Sequence, residues 1–88
     1  MKALVIIYTR PGCHLCDLAQ EAIEQSDCRA DFELETVNIE IDAELLARYG
    51  DDIPVVTING REAFKHRVDT KLFKAAIEQV KTCRYRAS

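Results

Sequence analysis

An apolar run, Ala3-Leu4-Val5-Ile6-Ile7-Tyr8, is broken by Pro11-Gly12, and Cys13-His14-Leu15-Cys16 follows at once. The run contains Val and two Ile and reads as a strand buried on both faces, as in a sheet sandwiched between helices. Beyond it, Leu15, Leu18, Ala19, Ala22 and Ile23 recur at helical spacing, with Asp17, Gln20, Glu21 and Glu24 opposite them. The helix is expected to end near Gln25-Ser26-Asp27. Two cysteines therefore stand where a buried strand hands over to an amphipathic helix. Free backbone N–H groups and the helix dipole at that point favour the thiolate of Cys13. Cys16 lies about one turn further on, within reach for a disulfide. This is the layout of a thiol–disulfide redox site.

The rest of the chain alternates in the same way. A second strand is expected from about Phe32 to Asn38. Its alternation starts with Phe32 and Leu34 and changes phase at Val37 and Ile39, which predicts an end or kink near Thr36. Asp42 suits the N-cap and Gly50 the C′ position of a short helix over Ala43 to Tyr49. Val55-Val56-Thr57-Ile58 reads as a third strand. Asn59-Gly60 is a strong hairpin signal, so a fourth strand should return over Glu62 to Phe64. A last helix starts after Asp69, with Val68 and Phe73 placed as a hydrophobic staple and Leu72, Phe73, Ala76, Ile77 and Val80 as its buried stripe. The order is β-α-β-α-β-β-α. The first two strands, joined through a helix, should be parallel; the last two form an antiparallel hairpin.

The 88 residues are expected to make one domain, residues 1–88, and 48% apolar residues suffice for a modest core. A net charge of −3 gives no general reason to expect nucleic acid as a partner. Lys81, Arg84 and Arg86 form a basic cluster that reads as a solvated helix end. No segment approaches the ~18–20 apolar residues of a membrane span. The N-terminus lacks the long apolar stretch and cleavage site of a secretory signal, so a cytoplasmic location is expected. In that compartment a Cys-x-x-Cys pair points to catalysis or metal binding rather than to a structural disulfide. Zinc normally takes four ligands, and no second Cys-x-x-Cys or close His pair is present. Cys28 and Cys83 are isolated; a disulfide between them would need Cα atoms within ~7 Å.

The element order, with Cys-x-x-Cys opening the first helix, resembles the thioredoxin-like superfamily, and within it glutaredoxin. Tyr8-Thr9-Arg10-Pro11-Gly12-Cys13-His14-Leu15-Cys16 is similar to the glutaredoxin active-site segment, and Ile53-Pro54-Val55-Val56 to the segment carrying the family's cis-proline. The resemblance covers nearly the whole chain. It implies an α/β, thioredoxin-like (glutaredoxin-type) fold: a four-stranded mixed sheet flanked by helices. Three departures stand out. The Gly-Gly pair before the last helix is replaced by Phe64-Lys65-His66-Arg67-Val68-Asp69. The residues between the cysteines are His14-Leu15 rather than Pro-Tyr, and no Trp precedes Cys13.

The resemblance implies that Cys13 is the nucleophile and Cys16 the resolving thiol of a dithiol mechanism that leaves a Cys13–Cys16 disulfide. Substrates would be disulfide-bearing proteins or small thiols, with electrons from glutathione or another thioredoxin-like donor. His14, between the cysteines, would tune the thiolate or simply face solvent. Pro54 would be trans on general grounds, since only ~5–6% of X–Pro bonds in folded proteins are cis; the resemblance implies cis, exposing the Ile53 backbone to an extended substrate. Arg10, Lys65 and Arg67, with His66, could hold an anion beside the last helix's N-terminus. Without glycines there, glutathione should bind weakly. No bound cofactor or metal is needed, and a monomer is expected. Two other readings stay open: a non-catalytic binding or adaptor module, and a carrier of metal or an iron–sulfur cluster on the two thiolates.

Overall fold

The computed structural model describes residues 2–26 and 28–87, with side chains as far as Val80, that of Arg29 excepted. The expectations for Lys81, Cys83, Arg84 and Arg86 fall outside the described side chains. The elements are β1 (Ala3–Thr9), α1 (His14–Glu24), β2 (Phe32–Asn38), α2 (Ala43–Tyr49), β3 (Val55–Ile58), β4 (Arg61–Lys65) and α3 (Thr70–Ala87), with single 3-10 turns at Arg29–Asp31 and Ile39–Ile41. The sheet order is β2-β1-β3-β4. β1 and β2 are parallel; β1–β3 and β3–β4 are antiparallel. The architecture is thus a mixed four-stranded sheet with three helices, as expected from the pattern of elements.

The hairpin shows why sequence and backbone agree. Asn59 and Gly60 both adopt positive φ (52° and 86°), the twist that a two-residue hairpin requires. Asn59 also ties down the start of β1: its Oδ1 accepts from Leu4 N–H at 2.9 Å, and its own N–H donates to the Leu4 carbonyl at 2.8 Å. Opposite, the register of β4 slips by one between Val56 and Thr57, a bulge that sets Val56 against Phe64 and Thr57 against Glu62.

Among the described residues, two clusters form the core. The larger gathers Val5 and Ile7 of β1, Ile23 of α1, Phe32 of β2, Val56 of β3, and Phe73 and Ile77 of α3. The smaller joins Ile39, Tyr49 and Val55 with partly buried Tyr8, Leu45 and Ile53. This division explains four departures from the sequence reading. β1 is not buried on both faces: Ala3, Val5 and Ile7 are covered, whereas Leu4 is 37% exposed and Ile6 half-buried, because α2 is short and covers only the Tyr8 end. β2 does not stop at Thr36. It pairs with β1 without a break from Phe32 to Asn38; the phase change instead delivers Ile39, on the following turn, to the smaller cluster. Along α1 the buried stripe is Cys16, Ala19 and Ile23, rotated from the expected one, with Leu15 (46%) and Leu18 (49%) on its flank. On α3, Leu72 is 62% exposed while Phe73 is fully buried. Gly50 also differs from a left-handed C′ residue. It is right-handed (φ −52°), and a Cβ there would stand 2.5 Å from the Leu46 carbonyl oxygen, so glycine serves a close approach instead.

Thr57 is 3% exposed, and its hydroxyl finds no hydrogen-bond partner among the described residues. A buried, unpaired hydroxyl costs roughly 1–3 kcal/mol. Thr57→Val should therefore stabilise the protein by about 1 kcal/mol, read as a higher urea midpoint at unchanged slope. A lower midpoint would mean that the hydroxyl is paired after all.

Candidate active site

The cysteine pair is positioned by a turn whose residues suit it. Cys13 N–H donates to the Arg10 carbonyl at 3.3 Å, closing Arg10-Pro11-Gly12-Cys13. Proline presets the first central φ, and Gly12 takes φ 81° at the second, the conformation in which glycine is favoured. The turn delivers Cys13 to the N-cap of α1 in extended conformation. Cys16, three residues on, forms a disulfide with it, at a Cα–Cα distance of 5.3 Å.

The two sulfurs differ in surroundings. Cys13 is half-buried, whereas Cys16 is 4% exposed on the core side of α1. The Cys16 N–H donates to Cys13 Sγ at 3.2 Å. That donor is one of the free N–H groups of the helix start, so the helix aims positive charge at Cys13. His14 is exposed, and its ring makes no hydrogen bond or ion pair among the described residues.

Among the described residues, two clefts flank α1. One, of about 230 Å³, lies between Leu15, Leu18 and Ala19 on the helix and His66, Arg67 and Val68 on the loop before α3. The other, of about 370 Å³, lies towards β2 and is lined by both cysteines together with Arg10, Asp17, Gln20, Thr36 and Asn38. Asp17, Gln20, Thr36 and Asn38 were not singled out from the sequence. The signal for the last two was the parallel pairing of β1 and β2, which sets Thr36 beside Ile7 and Asn38 beside Thr9.

Pro54 is buried, and the Ile53–Pro54 peptide bond is cis. The Pro54 carbonyl accepts from His66 N–H at 2.8 Å, linking this segment to the loop that walls the smaller cleft. His66 stands at φ 68°, a left-handed conformation that costs a non-glycine residue roughly 1–2 kcal/mol. Its Nε2 lies 3.4 Å from Asp52. Lys65 is also engaged, 3.3 Å from Glu62 and 3.7 Å from Asp52. The hydrogen bond to Glu62, then its charge and that of Asp52, hold the Lys65 ammonium above its ordinary pKa. Of this basic run, Arg67 alone has no ion pair among the described residues. Ile53 packs into the smaller core cluster. Among the described residues, no three His, Cys, Asp or Glu side chains are grouped to hold a metal ion, and no helix is long and apolar enough to cross a membrane. Cys28 is a buried free thiol 3.2 Å from Ser26 Oγ.

The family model of the glutaredoxin-like domain (DUF836) matches residues 4–78. A glutaredoxin-like protein of Dictyostelium discoideum is 35% identical over 68 residues, 70% of this chain and 63% of its own length, so the chain spans somewhat under two thirds of that relative. An uncharacterized protein of Mycobacterium tuberculosis is 31% identical over 83% of this chain and 80% of its own. Among solved structures, a protein of X. campestris superposes with a TM-score of 0.74 at 33% identity, over 85% of this chain and 96% of that one. A thioredoxin from Halobacterium salinarum, 17% identical, reaches 0.62 over 89% of this chain and 74% of that one, a likeness of fold alone.

Proposed function

Since the chain belongs to the glutaredoxin-like domain family, we propose that it is a thiol–disulfide oxidoreductase with Cys13 as nucleophile and Cys16 as resolving thiol. The observation that carries this reading is the asymmetry of the pair. Cys13 is the partly accessible sulfur and receives a helix N-terminal N–H, while Cys16 is buried behind it. A thiolate on Cys13 would be stabilised by that donor, both as attacking group and as leaving group. Cys16 is shielded from substrate but within reach of Cys13, as a resolving thiol must be.

The loop before α3 bears on the choice of reductant. His66 holds a left-handed backbone without being glycine, and its side chain and that of Lys65 are turned to Asp52 and Glu62. This arrangement supports weak glutathione binding, because Cβ atoms replace an open backbone and the Lys65 ammonium is already engaged by Asp52 and Glu62. No resident cofactor is required. The test is a redox titration in glutathione buffers followed by intact mass. Cycling of Cys13 and Cys16 by two mass units, with little glutathione adduct, is expected. A chain in which the pair stays oxidised or reduced across the whole buffer range would overturn the reading.

A further inference from the structure

The 370 Å³ cleft on the β2 side of α1 is unlike the one that faces α3. The disulfide itself forms part of its wall, and beside Ile7 and Pro11 the wall carries the polar side chains of Thr9, Arg10, Asp17, Gln20, Thr36 and Asn38. Two of them carry full and opposite charge, Arg10 and Asp17. Among the described residues, neither takes part in an ion pair, with the other or with anything else. Gln20, Thr36 and Asn38 add neutral hydrogen-bonding groups. The volume is at the lower end of the ~300–1,000 Å³ typical of small-molecule sites. An unpaired cation and an unpaired anion, sharing one small cleft with a redox sulfur pair, are complementary to a small molecule that carries both charges and a disulfide.

We infer that this cleft binds small zwitterionic disulfides of the amino-acid type, with the carboxylate held at Arg10 and the ammonium at Asp17. The inference rests on the oxidoreductase reading and names its substrate class. The reaction balances without an outside reagent once the pair is reduced. The Cys13 thiolate attacks one sulfur of the bound disulfide, forming a mixed disulfide and releasing one thiolate, which takes up a proton. Cys16 gives up its proton and attacks Cys13 Sγ. The second thiolate leaves and is protonated, and the Cys13–Cys16 disulfide remains. Two electrons pass from the protein to the substrate; one proton comes from Cys16 and the other from solvent.

The experiment uses the fully reduced protein in single turnover with excess disulfide, quenched and alkylated before mass analysis. Four probes separate the charges: cystine carries both, 3,3′-dithiodipropionate only carboxylates, cystamine only ammonium groups, and hydroxyethyl disulfide neither. Each rate is divided by that of the same probe with dithiothreitol, which removes intrinsic reactivity. The normalised rate with cystine should exceed that with hydroxyethyl disulfide about ten-fold. Relative to hydroxyethyl disulfide, Arg10→Gln should lower the rates of cystine and dithiodipropionate about five-fold and spare cystamine. Asp17→Asn should lower those of cystine and cystamine by a similar factor and spare dithiodipropionate. A five-fold loss is the scale of one exposed ion pair. Equal normalised rates for all four probes, or variants that slow all four alike, would overturn the assignment while leaving the redox reading intact. If none of the probes oxidised the protein, the redox reading would fall and the assignment with it.

Discussion

Cys13→Ser should abolish disulfide exchange, lowering turnover by at least about 10³-fold, as expected when a nucleophile is removed. A serine hydroxyl at that position would still receive the Cys16 N–H at the helix start. Its pKa lies too far above neutrality for that one donor to make it an alkoxide, and it cannot enter sulfur exchange at all. Cys16→Ser should behave differently. The first step needs only Cys13, so the variant should react with a disulfide once and stop as a mixed disulfide on residue 13, detected as an added half-substrate mass. Cys28→Ser is the control: that thiol is 6% exposed in the core and beside Ser26, away from the pair. It should leave the exchange rate unchanged within a factor of about two, because it contributes to neither step. If the adduct accumulated on Cys16 in the Cys13 variant, at a rate near that of the native pair, the two roles would have to be exchanged.

The site was legible because its determinants are local. Arg10-Pro11-Gly12-Cys13 spells a turn, and the turn places the first cysteine on a helix end; no distant contact is needed to read it. Asn59-Gly60 is legible for the same reason. What could not be read from periodicity was which edge of an apolar helix face meets the sheet. Leu15 and Leu18 satisfy helical spacing as well as Cys16, Ala19 and Ile23 do, and only the position of the 66–68 loop and the sheet decides that the latter are covered. β2 presented the converse difficulty. Its pattern breaks at Val37, yet the strand continues because backbone pairing with β1 holds it, while Ile39 leaves for a second core. The polar cleft beside the disulfide was hidden for a third reason. Asp17 and Gln20 read as an ordinary solvated helix face until the parallel strand brings Thr36 and Asn38 opposite them.

Phe73→Ala should be the most destabilising single change in the core, at roughly 3–5 kcal/mol. Phe73 is fully buried. Its ring meets Phe32 edge-on at 5.2 Å between centroids and Phe64 at 6.2 Å, so one side chain joins α3 to β2 and β4. Removing it costs the transfer of the ring and leaves a cavity that the strand side chains cannot follow inward, since β2, β1, β3 and β4 are held by backbone pairing. A small domain has only ~5–15 kcal/mol in hand, so the variant should be partly unfolded at ambient temperature or lose much of its urea midpoint. Leu72→Ala, one residue earlier, is the matched control. Leu72 is 62% exposed on the same helix, and its loss should cost no more than about 0.5 kcal/mol. The contrast measures the rotation of α3 directly, because spacing alone assigns both residues to one buried stripe. If the two substitutions cost the same, α3 is turned from the orientation described, and the 66–69 loop, which Phe73 N–H anchors by donating to the Asp69 carbonyl at 2.8 Å, is turned with it.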